Sequence, residues 1–147
     1  MPGLNPQVAI HRLNIKSDAK PVKQQQRWFR PNIMEVIETE VHKIIECVFI
    51  REKHHPDWVA NVVPVLKKNE KIRVCIDFHD LNASYHKNEF PLPITDVMID
   101  NMCSFERLFF MDGFSGYNQI KMHPADEKHT SFRMPLGVYC YTIMLSD

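Results

Sequence analysis

Leu108-Phe109-Phe110-Met111-Asp112, followed at once by Gly113-Phe114-Ser115-Gly116-Tyr117-Asn118-Gln119-Ile120, decides how the rest of the chain is read. An apolar run rich in aromatics predicts a buried strand that delivers one carboxylate to its C-terminal end. The Gly-x-Ser-Gly turn lets backbone come close to whatever that carboxylate holds. Tyr117 follows five residues after the acid. Such a layout suits a metal-bound phosphate at a strand end, with a ring packed against a sugar.

Upstream, Phe90-Pro91-Leu92-Pro93 predicts an extended connector, and Thr95 caps a short helix through Cys103. Further back, Trp58 to Leu66 is rich in valine and predicts a strand. Ile72 to Phe78 alternates and predicts its antiparallel partner. Asn69-Glu70 is read as a two-residue turn, although Glu70 stands where a positive φ is wanted and costs on the order of 1 kcal/mol. In that register Lys68, Lys71 and Arg73 share a face, and a slip of one residue exchanges Lys68 for Lys67. The clearest helix spans 33–48, where Ile33, Ile37, Val41, Ile44 and Val48 form one stripe, with Asn32 as its N-cap. Residues 1–30 carry Pro2, Pro6 and Pro21 and predict an extended arm with a short strand at Val8–Leu13. Downstream, Gln119–Met122 predicts a strand and Pro124–Lys128 a helical turn. Thr130–Met134 and Val138–Met144 predict a hairpin.

The 147 residues suffice for one domain with a core, and 44% apolar content argues against general disorder. Formal net charge is zero, yet Lys16, Lys20, Lys23, Arg27 and Arg30 cluster against Asp18 alone. Lys67, Lys68, Lys71 and Arg73 form a second basic knot around Glu70. Local patches of this kind can bind phosphate in a neutral protein. Cys47, Cys75, Cys103 and Cys140 lie far apart in apolar segments, so reduced core thiols are expected. The eight histidines lack zinc-ligand spacing. The N-terminus has no apolar signal core and no run is long enough to span a membrane, so an intracellular protein is expected.

In order, Val62-Val63-Pro64-Val65, Lys67-Lys68-Asn69, Lys71-x-Arg73, Ile76-Asp77-Phe78-x-Asp80-Leu81-Asn82, Phe90-Pro91-Leu92-Pro93, Met111-Asp112-x-x-Ser115-Gly116-Tyr117-Asn118-Gln119-Ile120 and Thr130-x-Phe132 occur along the chain. This series resembles the reverse transcriptases, above all those of gypsy-type long-terminal-repeat retrotransposon polyproteins. The resemblance implies an α+β fold, the fingers and first palm segment of a right-hand RNA-directed DNA polymerase. It implies an extended basic arm or linker over 1–30, fingers over 31–88 and 120–147, and palm over 89–119. Polymerases of this kind join nucleotides with two magnesium ions that clamp the attacking and leaving oxygens. Asp112 is then the first of three metal-binding carboxylates and the Gly113 carbonyl an extra ligand. Phe114, Ser115 and Gly116 line the triphosphate pocket. Arg73, with Lys67 or Lys68, neutralises the triphosphate. Tyr117 is the aromatic gate under the deoxyribose. The implied partners are an RNA or DNA template-primer and deoxynucleoside triphosphates. Asp77 and Asp80 are expected to be structural.

Departures from that pattern are equally definite. The aromatic-x-Asp-Asp hairpin that supplies the other two carboxylates is not among these residues, and Leu145-Ser146-Asp147 replaces the usual Pro-Phe-Gly. Ile72, Glu70 and His79 stand where Trp, Gly and Arg are usual. The expectation is a truncated or decayed copy, inactive alone, whose palm edge at Phe109–Met111 exposes apolar surface and unpaired backbone. Two other roles fit the same residues. One is a non-catalytic nucleic-acid-binding remnant that uses the two basic clusters. The other is an interaction module that self-associates through the palm edge.

Overall fold

Pro31 opens the helix that organises the core, because its fixed φ suits the first helical position and its missing N–H has no bond to lose there. A computed structural model describes residues 3–68, 71–86, 91, 93–111, 113 and 116–145. The elements run in the order β1 (Ile10–His11), α1 (Pro31–Glu46), β2 (Ile50–Glu52), β3 (Ala60–Leu66), β4 (Ile72–Ile76), α2 (His79–Ala83), α3 (Thr95–Met102), β5 (Lys121–Met122), β6 (Phe132–Met134) and β7 (Gly137–Tyr141). This is the expected α+β class.

Five strands form one sheet in the order β2-β7-β6-β3-β4. Only β3 and β6 run parallel, and they pair through Ala60 and Asn61 alone. Pro64 therefore lies where β3 has no second neighbour. Lys67 N–H donates to the Lys71 carbonyl at 2.8 Å, so by alternation the Pro64 nitrogen faces that open side and no ladder bond is lost. The hydrophobic stripe of α1 covers one face of the sheet. Ile37 and Val41 are buried there with Ile50, Ala60, Val62, Phe132 and Met134. Phe132 and Tyr141 add a ring contact at 5.3 Å.

Several expectations are corrected. Asn32 is not the N-cap of α1; that position is Arg30, which makes no side-chain capping bond. The helix ends at Glu46, so Val48 leaves the stripe and is 67% exposed at φ 60°. Thr95 lies inside α3, and Ile94 occupies the cap without a capping bond. Gln119 belongs to a 3-10 turn, Gly116–Gln119, before the two-residue β5. The turn expected over Pro124–Lys128 starts as expected, with the Asp126 and Glu127 N–H groups both donating to the His123 carbonyl, and runs on into a 3-10 turn, Glu127–Thr130. Cys47 and Cys103 are exposed rather than core thiols, and only Cys140 is buried. The β6–β7 hairpin forms as expected, with Pro135-Leu136 as its loop and Gly137 at φ 142°.

The largest correction concerns the opening stretch. Residues 108–111 are not a strand, and Phe109, Phe110 and Met111 are 94%, 83% and 97% exposed. A strand exists through ladder bonds to a neighbour. Among the described residues no strand pairs with this run. The apolar exposure expected of Phe109–Met111 is present, in irregular chain rather than along a sheet edge.

The N-terminal segment is tied down at several points. β1 pairs in parallel with β5, and Ile15 and Lys23 bridge to Tyr85 and Val59. No helix among the described residues is long and apolar enough to cross a membrane.

Candidate functional site

The β3–β4 register brings Lys67 opposite Lys71, on the strand face that also carries Arg73. Leu66 pairs with Ile72 and Val65 with Arg73, one residue away from the expected register. Lys67 then opposes Lys71, and three residues lie between them rather than two. Asn69 and Glu70 themselves lie outside the described residues.

Alternation follows from the register. Val62, Pro64, Leu66, Ile72, Val74 and Ile76 face the side of α1, where Val62 is buried. Val63, Val65, Lys67, Lys71, Arg73 and Cys75 face the other side. Lys67 is two residues beyond the partner of Arg73, about 7 Å along the strand. Both are exposed, and among the described residues neither side chain has an ion-pair or hydrogen-bond partner. Lys68 lies in the turn beyond β3, outside this alternation.

Asn61 continues the same face inward and pairs with Arg133 of β6. Arg27, Trp28, Asn61 and Arg133 line a groove of about 140 Å³ beside Met34 and Pro135. Trp28 is exposed. Arg133 Nη1 donates to the Gln24 carbonyl at 3.5 Å. Asn61 Nδ2 donates to the Gln25 carbonyl at 2.6 Å. Two guanidinium groups and an indole thus line one groove, with Arg133 and Asn61 bonded to the arm. Sequence reasoning singled out Arg27 only as part of a charge cluster and passed over Trp28, Asn61 and Arg133. The available signal was the polar Asn61 in an otherwise apolar strand.

Asp112, Phe114 and Ser115 lie outside the described residues. Gly116 N–H donates to the Gly113 carbonyl at 3.0 Å. That carbonyl, expected as a metal ligand, thus already accepts a bond. Tyr117 is half-exposed in the following 3-10 turn, and its carbonyl accepts from Ile120 N–H at 3.0 Å. No hydrogen bond, ion pair or ring contact joins Tyr117 to the β3–β4 hairpin among the described residues.

Asp77 and Asp80 are engaged with the arm. Asp77 Oδ2 is 3.4 Å from Arg27 Nη2, and Asp80 Oδ2 accepts from Gln24 Nε2 at 2.9 Å. His79 sits between the two carboxylates, 2.6 Å from Asp77 and 3.1 Å from Asp80. On the same sheet face, near β2, burial pushes the Cys140 thiol up, next to the Arg51–Glu127 ion pair.

No known family profile matches the chain. The Tf2-3 and Tf2-4 transposon polyproteins of Schizosaccharomyces pombe are each 27% identical over 117 residues, which is 78% of this chain and 8% of each polyprotein. The prototype foamy virus protease-reverse transcriptase matches in fold with a TM-score of 0.71 at 17% identity, covering 94% of this chain and 19% of that one. The foamy viral protease-reverse transcriptase in complex with an RNA/DNA hybrid matches with the same score and coverage at 13% identity. The chain is therefore similar to a region of retrotransposon polyproteins and shares its fold with part of a retroviral protease-reverse transcriptase.

Proposed function

We propose that the chain is the fingers and first palm segment of a gypsy-type retrotransposon reverse transcriptase, and that its role is to hold template-primer and nucleotide. Residues 31–88 and 120–147 form fingers, residues 89–119 contribute palm, and the arm of 1–30 braces the fingers. One observation carries the reading: Lys67 and Arg73 share a face on an exposed hairpin whose fold occurs in a protease-reverse transcriptase. Two cations at diagonal positions of the hairpin, with no partner among the described residues, can take adjacent phosphate charges without first breaking an internal ion pair. The guanidinium offers a two-pronged donor set and the ammonium a mobile point charge. Further along the face, Arg27, Arg133 and Trp28 offer the combination of cation and ring that holds single-stranded nucleic acid.

In this reading Asp112 is the one metal-binding carboxylate of the segment, Phe114, Ser115 and Gly116 line the triphosphate pocket, and Tyr117 packs under the deoxyribose. Magnesium, if bound, supplies charge neutralisation at the phosphates. No group of three or more His, Cys, Asp or Glu among the described residues could hold a metal, and the Gly113 carbonyl is bonded to Gly116. One carboxylate, Asp112, is too few to hold two magnesium ions against water. The chain on its own is proposed to bind rather than to polymerise, with Lys67 and Arg73 acting on phosphate by charge.

Fluorescence anisotropy of a labelled RNA/DNA hybrid, titrated at stepped salt, tests this. Lys67→Ala and Arg73→Ala should each weaken binding and flatten the slope of log affinity against log salt by about one. Lys68→Ala should do less than either. Binding that is absent, insensitive to salt, or as sensitive to Lys68 as to Lys67 would end the proposal.

A further inference from the structure

The arm meets the sheet at a charge cluster of which the polymerase reading uses Arg27 alone. Gln24 N–H donates to the Val59 carbonyl at 2.9 Å, and Gln24 Oε1 accepts from Asn61 N–H at 2.8 Å. Gln24 Nε2 donates to the Asp77 carbonyl at 3.0 Å and to Asp80 Oδ2 at 2.9 Å. Arg27 reaches Asp77 Oδ2. Two of these contacts, Gln24 to Asp80 and Arg27 to Asp77, end on the two carboxylates, and one ring stands between them. His79 Nδ1 is 2.6 Å from Asp77 Oδ1, and His79 Nε2 is 3.1 Å from Asp80 Oδ1.

Ionised carboxylates only accept hydrogen bonds, and a neutral imidazole carries one N–H. A neutral ring in this position would turn a bare nitrogen lone pair toward one of the two carboxylates. The imidazolium alone presents an N–H and positive charge on both sides. We propose that His79 is a proton-operated clasp: as imidazolium it holds Asp77 and Asp80 together to receive Gln24 and Arg27, and loss of the proton loosens the arm over residues 22–30.

The groups facing His79 are Asp77 and Asp80 from its own segment, and Arg27 and Gln24 from the arm. His129, half-buried in the pocket that Asp77 and Asp80 also line, is held below its ordinary range chiefly by burial, with Lys128, Asp126 and Asp57 as its charged neighbours. The hydrogen bond to Asp77 raises His79 above 6.5, and the same bond lowers Asp77 below 3.8. The signs define a window. The His79 contribution is complete below 6.5 and is lost as pH rises through its raised value. The Asp77 contribution is complete above 3.8 and is lost as pH falls through its lowered value. His79 is exposed, so the clasp is a local device and β1–β5 pairing keeps the far arm in place.

The test is an NMR titration of the full chain from pH 5.5 to 9, following the His79 ring together with the Gln24 and Asn61 amides. Those amides should move with one inflection above 6.5, at the midpoint of the His79 ring. Their exchange protection, corrected for intrinsic pH dependence, should fall about two- to fivefold across it, as expected for exposed ion pairs. His79→Arg keeps the cation and should abolish the inflection. Asp80→Asn, a milder change, should lower the His79 midpoint. Amides that stay still while the wild-type ring titrates would overturn the proposal without any variant. So would an inflection that survives in His79→Arg. Nucleic-acid binding does not enter either readout, so this result stands apart from the polymerase reading.

Discussion

Val48 sits one residue past the C-cap of α1, with φ at 60°. Its N–H donates to the Ile45 carbonyl at 2.8 Å, and the next N–H, of Phe49, donates to the Ile44 carbonyl at 3.2 Å. That pair of bonds is the Schellman closure, whose left-handed position favours glycine. A β-branched residue is strained there by about 1–2 kcal/mol, and Val48 is too exposed to recover this by packing. Val48→Gly should therefore raise stability by about 0.5–1 kcal/mol, after the entropy of a more flexible unfolded chain is set against the relieved strain. Denaturant midpoints check it; a lower midpoint would show that the valine side chain packs. The hydrophobic period carried Val48 into the helix because valine fits the stripe. What ends the helix is backbone geometry, which no side-chain pattern at that position announces.

At the scale of elements, the strands legible from sequence are those whose partners also lie in the chain. β3 with β4 and β6 with β7 each carry alternation on both sides of a short connection, and both hairpins form. The register of the first escaped by one residue, because Lys67 and Lys68 are chemically alike and only the loop distinguishes them. Residues 108–111 show the opposite case. Leu108, Phe109, Phe110 and Met111 have strong strand character but no paired neighbour among the described residues, and α3 before them buries nothing. The triple change Phe109→Ser, Phe110→Ser and Met111→Ser should leave stability within about 0.5 kcal/mol of wild type, since it removes no buried contact. It should also reduce self-association seen by sedimentation, because it deletes an exposed apolar run. A loss of several kcal/mol on unfolding would mean that this run packs in solution.

For the whole molecule, no single motif is decisive, and their order along the chain is what points to a polymerase. The similarity to Tf2 polyproteins over 78% of the chain, and the shared fold over 94%, accord with that order. The site is less legible. Arg27, Asn61 and Arg133 reach one face only because the arm crosses the sheet and β6 runs parallel to β3, both of which are non-local events. The central claim is that one face of the sheet, with Lys67 and Arg73 at its tip, meets nucleotide. Photolabelling with an azido-deoxynucleoside triphosphate in the presence of an RNA/DNA hybrid, followed by peptide mapping, tests it most directly. The account predicts label on β3–β4 around Lys67 and Arg73 and on the Gly113–Tyr117 stretch, displaced by unlabelled triphosphate. Label confined to α1, or label that unlabelled triphosphate does not displace, would contradict it.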